Sequence, residues 1–419
     1  VRILFVTPSP PHPTEGGAAI RNYHLIEAAK DAGHAVDVLA VARDRTPISP
    51  FSPDGFDIAF VTRASDPSRV DRLRTLAISP QPDLAHRLRD PEFLREAGQK
   101  LRDAVRHGRP YDAVQVEGLE MWGNVPHPRN LGNLRNRVPL QTIYDAHNAE
   151  TTLQRRTALV AARTGDAAGA AYSAVQWAKL RAYERNAVRA ATATLALSPE
   201  DARALSRLAH KAVDVVPVGV DTAHYDRDAP DLPAPIPFDA VFSGTLDYRA
   251  NADAARWLVT EVWPFVRRIR PDATLAIVGK NPSAALRAHH GRNGVTITGA
   301  VPDDRPYMAG AGVYVLPIRF GAGMRLKLLN AMSMSCPVVA TPVAVEGVEA
   351  MHGRDLLIAP PRVDSFAAGI IMLLRNAEAR PRFGEAARRL MTERHDWRHV
   401  APALLRVYDR LERDRHDRH

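Results

Sequence analysis

One pattern limits what this 419-residue chain can fold into: short apolar, β-branched runs alternate with helical stretches, and the alternation is laid out twice. "RILFVT" (2–7) leads through "PSPPHPTEGGAA" into a helical stretch that ends near Gly33, and "AVDVLAV" (35–41) is the next strand. "DIAFVT", "DAVQVEG", "QTIYDAH", "TATLALS" and "AVDVVPVG" continue the series. Near-continuous apolar strands separated by helices predict a parallel sheet covered on both faces. "DTAHYDRDAPDLPAPIPFD" (221–239) then breaks the pattern, being proline-rich and aperiodic. The alternation restarts with "DAVFSGT" (239–245), a helix over roughly 251–269, "ATLAIVG" (273–279), "VTITGA" (295–300), "VYVLPI" (313–318), "PVVAT" (337–341) and "DLLIAP" (355–360). Three helical stretches close the chain.

The fold class predicted is α/β, with two Rossmann-like doubly wound domains facing a cleft. The expected boundaries are residues 1–222 for the first domain, 223–238 for a linker and 239–395 for the second domain. Residues 396–419 read as a C-terminal helix that packs back toward the first domain. A chain of this length suits two α/β cores better than one. In doubly wound sheets ligands bind beyond the carboxyl ends of the strands, so the strand-end loops carry the candidate chemistry.

Composition narrows the function classes. Charged residues make up 25% and hydrophobic ones 45%, ordinary for a globular protein. No apolar run is long enough to span a bilayer, and the N-terminal "VRILFVTPSP" reads as a strand, not a signal peptide. The single cysteine, Cys336, rules out an internal disulfide and a cysteine-based zinc site, which fits a reducing cytoplasm. The net charge is +9, and 50 of the 56 basic residues are arginine. The basic runs, such as "KLRAYERNAVR", mix signs and lack interleaved aromatics, so they read as solvated helix faces and not as a nucleic-acid surface. They permit peripheral contact with an anionic leaflet at the inner membrane face.

"FGAGMRLKLLNAM" (320–332) is the most suggestive loop. Gly321 and Gly323 let backbone N–H groups approach an oxyanion closely. Arg325 and Lys327 sit at the start of the following helix, where like charge opposes the dipole unless an anion neutralises it. A phosphate or diphosphate is therefore the expected ligand. "YDAHNAE" (144–150) places His147 at a strand-to-helix turn, where it can donate to a substrate hydroxyl or carbonyl or orient a leaving group. "PHPTEGGAAIRNY" (11–23) brings Gly16 and Gly17 to the start of the first helix. Gly244, Thr245 and Arg249 in "FSGTLDYRANAD", Gly279 and Lys280 in "AIVGKNP", and Val301 in "TGAVPD" follow three further strands. Each signal alone is weak, but together these loops are expected to converge on one nucleotide.

Taken in order, these motifs resemble the retaining, metal-independent glycosyltransferases of the GT-B fold, in the family four (group 1) set. The resemblance spans nearly the whole chain and is densest over 239–360. It rests on "FSGTLDYRANADAARWL", "DATLAIVGKNP", "VTITGAVPD", "VYVLPIRFGAGMRLKLLNAMSMSCPVVATPVAVEG" and "DLLIAPP", with "YDAHNAE" and "PVGVDTAHY" before them. It implies transfer of a sugar from a nucleotide-diphospho-sugar to an acceptor hydroxyl with retention, without metal or other cofactor. Arg325, Lys327 and the loop glycines would hold the diphosphate, and Gly16 and Gly17 would approach it. His147 would bond a hydroxyl of the sugar, Val301 would touch the base through its main chain, and Glu346 would close round the donor.

The chain departs from the family at Asn330, where a glutamate generally binds the donor ribose. Asparagine can accept one hydrogen bond but carries no charge. Altered ribose recognition is one expectation; a degenerate, non-catalytic binding subunit is the rival. A sugar-nucleotide epimerase of the same architecture fits the motif order poorly. The acceptor is open: a lipid-linked or polysaccharide intermediate, or a small natural product.

Overall fold

The computed structural model describes residues 1–12, 16–42, 58–62, 75, 78–126, 140–163, 167–321 and 326–416. They form two compact units: Val1–Pro217 with Ala401–His419, and Val218–Val400.

The first unit contains strands β1 (Arg2–Thr7), β2 (Ala35–Ala42), β3 (Ile58–Thr62), β4 (Ala113–Glu117), β5 (Gln141–Ala146), β6 (Ala193–Ala196) and β7 (Asp214–Val215). Every pairing is parallel, in the order β3-β2-β1-β4-β5-β6-β7. All five residues of β4 and all six of β5 are buried, which is why these strands read as unbroken apolar runs. Successive side chains point to opposite faces. Leu4, Val6, Val114 and Val116 meet Phe93, Ala97 and Leu101 of the helix Pro91–Arg106. Those helix positions recur every four residues, one apolar stripe. Burying each such large side chain contributes roughly 1.5–3 kcal/mol. Asp90 starts that helix by accepting from the Glu92 and Phe93 amides, with Pro91 in its first turn.

The other face of β4 carries Gln115 and Glu117 instead of apolar residues. Here the helix Trp397–His416 supplies the cover, because its residues from Ala401 onward belong to this unit. Tyr408 Oη donates to Gln115 Oε1 (2.6 Å), and Gln141 Nε2 donates to the Leu411 carbonyl (3.0 Å).

The second unit contains β8 (Phe238–Ser243), β9 (Leu275–Val278), β10 (Val295–Gly299), β11 (Ala311–Leu316), β12 (Val338–Ala340) and β13 (Leu357–Ile358). The order is β10-β9-β8-β11-β12-β13, again all parallel. In both sheets the chain steps outward on one side of the first strand and then on the other. The reversal lies between β1 and β4, and between β8 and β11, which puts a crevice at the carboxyl ends of those strands. This is the architecture of two Rossmann-like α/β domains.

Residues 223–238 are fastened to the second unit. Arg388 donates to the Tyr225 carbonyl (3.1 Å) and the Thr222 carbonyl (3.2 Å) and pairs with Asp226. Arg227 donates to the Ala309 carbonyl (2.7 Å), and Ser333 Oγ to that of Tyr225 (2.7 Å). Arginine predominates in these bonds because one guanidinium can satisfy several carbonyls that the aperiodic segment leaves unpaired.

Candidate functional site

The carboxyl ends of β8, β9 and β10 enclose a pocket of about 450 Å³ in the second unit. Gly244, Thr245, Gly279, Lys280, Val301 and Lys327 all line it, so six residues from four separate loops and helices converge. Backbone bonds stitch the loops together: Gly244 N to the Val278 carbonyl (2.8 Å), Leu246 N to that of Lys280 (2.8 Å), and Gly279 N to that of Gly299 (3.1 Å). Gly279 has φ +148°, and a Cβ there would lie 1.7 Å from the Gly244 carbonyl oxygen. Only glycine fits, so the wall of the pocket is bare backbone.

Lys327 lies in the first turn of the helix Leu326–Ser333. Its ammonium sits against Gly244, where an added Cβ would be 3.1 Å from Nζ. Burial pulls its pKa down to about 8, only partly opposed by the charge of Asp304. Asp304 is in turn pushed up by burial, against the pull of Lys327 and a hydrogen bond from Ser243 (3.1 Å). Ser243 also bonds the Tyr314 hydroxyl (2.9 Å). Among the described residues no carboxylate lies within ion-pair distance of Lys327. A partly desolvated ammonium against a glycine wall can hold an oxyanion. Beside it, Arg305 is buried and clips the loop in place through Asp303 (2.9 Å), Asp231 (2.9 Å) and the His224 carbonyl (3.1 Å).

Other expected residues stand elsewhere. Arg249 is exposed and lies over the Phe320 ring (5.5 Å). Asn330 is buried in the second turn of its helix and does not line the pocket, nor does Glu346, which follows the turn Pro342–Ala344. Gly321 has φ +133° and opens the loop toward that helix. Gly323 and Arg325 fall outside the described residues. Just before Gly321, Arg319 pairs with both oxygens of Asp253 (2.8 and 2.6 Å), fixing the approach to the loop.

In the first unit, the ends of β4 and β5 carry a buried polar cluster. His147 Nε2 is 3.0 Å from Glu117 Oε2. Arg21 pairs with Asp145, lies 3.9 Å from Glu117 and donates to the Val216 carbonyl (2.9 Å). The Asn22 amide, oriented to suit its neighbours, donates to Glu117 Oε2 (2.9 Å). Gly16 (φ +101°) and Gly17 begin the helix that delivers Arg21 and Asn22. Burial acts to lower the His147 pKa, but the hydrogen bond and charge of Glu117, with the charge of Asp145, outweigh it and hold the pKa above its usual value. Glu150, at the start of the helix Glu150–Arg163, is pushed up to about 8 by burial and by the charges of Glu120 and Glu184. Glu184 caps that helix, accepting from the Glu150 and Thr151 amides (2.7 and 3.1 Å).

Glu117, Arg21, Asp304 and Arg305 are the polar residues that sequence reasoning missed. A carboxylate ending an otherwise apolar strand ("AVQVE") and the charged run "PDDR" after β10 were the available signals.

Among the described residues, no three His, Cys, Asp or Glu side chains group as metal ligands, and no helix is long and apolar enough to cross a membrane.

Two family models match the chain: a "Glycosyl transferase 4-like domain" over residues 16–221 and "Glycosyl transferases group 1" over residues 237–376. Among curated proteins, an uncharacterized 44.6 kDa protein in the cps region of Klebsiella pneumoniae is 28% identical over 178 residues, 40% of this chain and 45% of that protein. The phosphatidyl-myo-inositol mannosyltransferase of Mycobacterium tuberculosis is 30% identical over 161 residues, 36% of this chain and 42% of that one. The matched stretch thus spans less than half the length of either relative. Among solved structures, sucrose-phosphate synthase from Thermosynechococcus elongatus superposes with a TM-score of 0.70 at 19% identity, covering 99% of each chain. Anabaena HepE in complex with UDP gives 0.65 at 14% identity, covering 98% of this chain and 100% of that one, and HepE is also known with UDP-glucose. At such identities the likeness establishes the fold. With both domains matched and both sheets wound alike, the chain belongs to the group 1 glycosyltransferases of the GT-B fold.

Proposed function

We propose that this chain transfers a hexosyl group from a nucleotide-diphospho-sugar to an acceptor hydroxyl, with retention of anomeric configuration and without a metal ion. The observation that carries the reading is Lys327, a partly desolvated ammonium set against the glycine wall of a nucleotide-sized pocket. Breaking the anomeric C–O bond places negative charge on the departing diphosphate. Lys327 and Arg325, with the backbone N–H groups of the glycine loop, offset that charge as it develops. The acceptor hydroxyl then attacks from the side the diphosphate leaves, and the diphosphate takes its proton. His147 bonds a hydroxyl of the transferred sugar. Val301 meets the base through its main chain. The complexes of HepE with UDP and UDP-glucose support a uridine nucleotide as the first donor to test. The names of the curated relatives, one from a cps region and one acting on a phosphatidylinositol, support a lipid-linked or polysaccharide acceptor.

The test is a panel of UDP-, GDP- and ADP-hexoses with and without chelator, scored by nuclear magnetic resonance for transfer, hydrolysis or epimerised sugar. Transfer with retained configuration and no chelator effect is expected. Release of free epimer alone overturns the reading. Asn330 favours a second reading, a non-catalytic binding subunit, because the expected ribose carboxylate is absent there. Binding of nucleoside diphosphate without turnover, in both wild type and Asn330→Glu, would favour that one. Binding of no nucleotide at all would overturn both.

A further inference from the structure

Glu117 is fully buried, and each of its oxygens has a partner. Oε1 accepts from Gln115 Nε2 (2.8 Å), and Oε2 accepts from the Asn22 amide (2.9 Å) and faces His147 Nε2 (3.0 Å). The Gln115 amide cannot turn over without loss. Tyr408 Oη donates to its oxygen, which leaves its nitrogen for Glu117. Gln115 and Tyr408 are themselves buried. A continuous hydrogen-bonded chain therefore runs Tyr408, Gln115, Glu117, His147, from the C-terminal helix to the end of β5. An ionised carboxylate only accepts, so the hydrogen between Glu117 and His147 belongs to the ring. His147 is held with Nε2–H toward Glu117. Among the described residues its Nδ1 has no protein partner, and its side chain keeps 17% of its exposure.

We propose that Glu117 is a positioning residue for His147, itself fixed through Gln115 by Tyr408 of the C-terminal helix, so that the ring turns its Nδ1 edge to the ligand. This rests on the role given to His147 in the proposed reaction. The charges around the ring agree with it. Glu117 from β4, Glu120 from the turn Leu119–Asn124 and Asp145 from β5 face it as carboxylates, Glu150 from the following helix holds its proton up to about pH 8, and among the described residues Arg21 is the cation among them. A buried group with more carboxylates than cations is relieved by a further positive charge. The pKa of the ring is thereby held above its usual value, and in the imidazolium Nδ1 is a charged donor, about twice as strong as a neutral one. In the neutral ring the same nitrogen only accepts. Glu117 thus decides both which edge faces the ligand and the sense of the bond it makes.

Two measurements on labelled protein test this, and neither needs a substrate. The nitrogen shifts of the deprotonated His147 ring in wild type should report a proton on Nε2; a proton on Nδ1 overturns the proposal. The titration of the His147 ring should move down by about one pH unit or more in Glu117→Gln, the scale of losing an opposite charge within about 4–6 Å. It should move less in Glu117→Asp, which keeps the charge, and less again in Tyr408→Phe. An unchanged titration in a folded Glu117→Gln overturns the proposal, and if that variant does not fold, the tautomer in wild type still decides. Where transfer is measured, the alkaline limb of the pH–rate profile should fall in step with the titration. Absence of any transfer, with tautomer and titration as expected, would count against the proposed reaction and leave this assignment standing.

Discussion

Gly279 and Gly244 approach so closely that no side-chain carbon fits between them: a Cβ on Gly279 would lie 1.7 Å from the carbonyl oxygen of Gly244. The two loops form one continuous wall of the pocket. Gly279→Ala must push them apart and also strain a backbone at φ +148°. The expected cost is roughly 1–3 kcal/mol of stability, read as a fall in the thermal midpoint. Nucleoside diphosphate affinity should fall further than stability alone explains. Unchanged affinity in the folded variant would place the nucleotide elsewhere.

Lys327 gives a pH signature to ligand binding. Its pKa of about 8 in the free protein means that half of the ammonium has lost its proton at that pH and most of it at higher pH. A bound diphosphate restores the charge and so takes up a proton between about pH 8 and 10. Calorimetry in buffers of different ionisation enthalpy should show proton uptake on nucleotide binding at pH 8.5, little at pH 6.5, and none in Lys327→Met. Affinity should decline as pH rises past 8. Heats that do not depend on the buffer at pH 8.5 would remove Lys327 from the anion site.

The strands of the fold were legible in the sequence; the neighbours of the site residues were not. Strands buried on both faces announce themselves as apolar runs, and β1, β4, β5, β6 and β9 lie inside the expected stretches, while β8 and β11 begin one and two residues before theirs. The expected strand "AVDVVPVG" shrinks to Asp214–Val215, because Pro217 cannot donate to a ladder. His147 was visible as a polar residue at a strand end. Its partner was not, because only the pairing of β4 with β5, Glu117 opposite Asp145, brings position 117 beside 147. Lys327 meets Gly244 for the same kind of reason: the order of strands, which no local pattern encodes, decides which loops share a crevice.

Glu150 makes stability depend on pH in a definite direction. Its pKa is about 8 in the folded chain against 4.5 for an ordinary glutamate, so between these the native state holds a proton that the unfolded state has lost. Stability from this group is present below about pH 4.5 and lost as pH rises through about 8. Glu150→Gln removes the dependence. Its thermal midpoint relative to wild type should climb between pH 5 and pH 8 and level off above. A constant difference across that range would contradict the assignment.

Arg388 is the main fastening of the 223–238 segment, with bonds to Thr222, Tyr225 and Ser333 and a salt bridge to Asp226. Arg388→Ala removes the guanidinium partner of the Thr222 and Ser333 carbonyls and of the Asp226 carboxylate, while the Tyr225 carbonyl keeps Ser333 Oγ, at roughly 1.5–3 kcal/mol. Limited proteolysis should then cut within 223–238 at conditions that spare the wild type. Equal resistance would mean that Arg305 and Arg227 suffice.

Tyr408, Leu411, Arg410 and Arg415 complete the first unit by their bonds to Gln115, Gln141, Asp214 and Asp112. They are separated from their partners by the whole of the second unit. As the chain leaves the ribosome, the second unit has its full complement of strands and helices while the first still lacks the cover over β4. The domain synthesised first is therefore the one finished last, and Gln115 and Glu117 wait for the final helix before His147 is set.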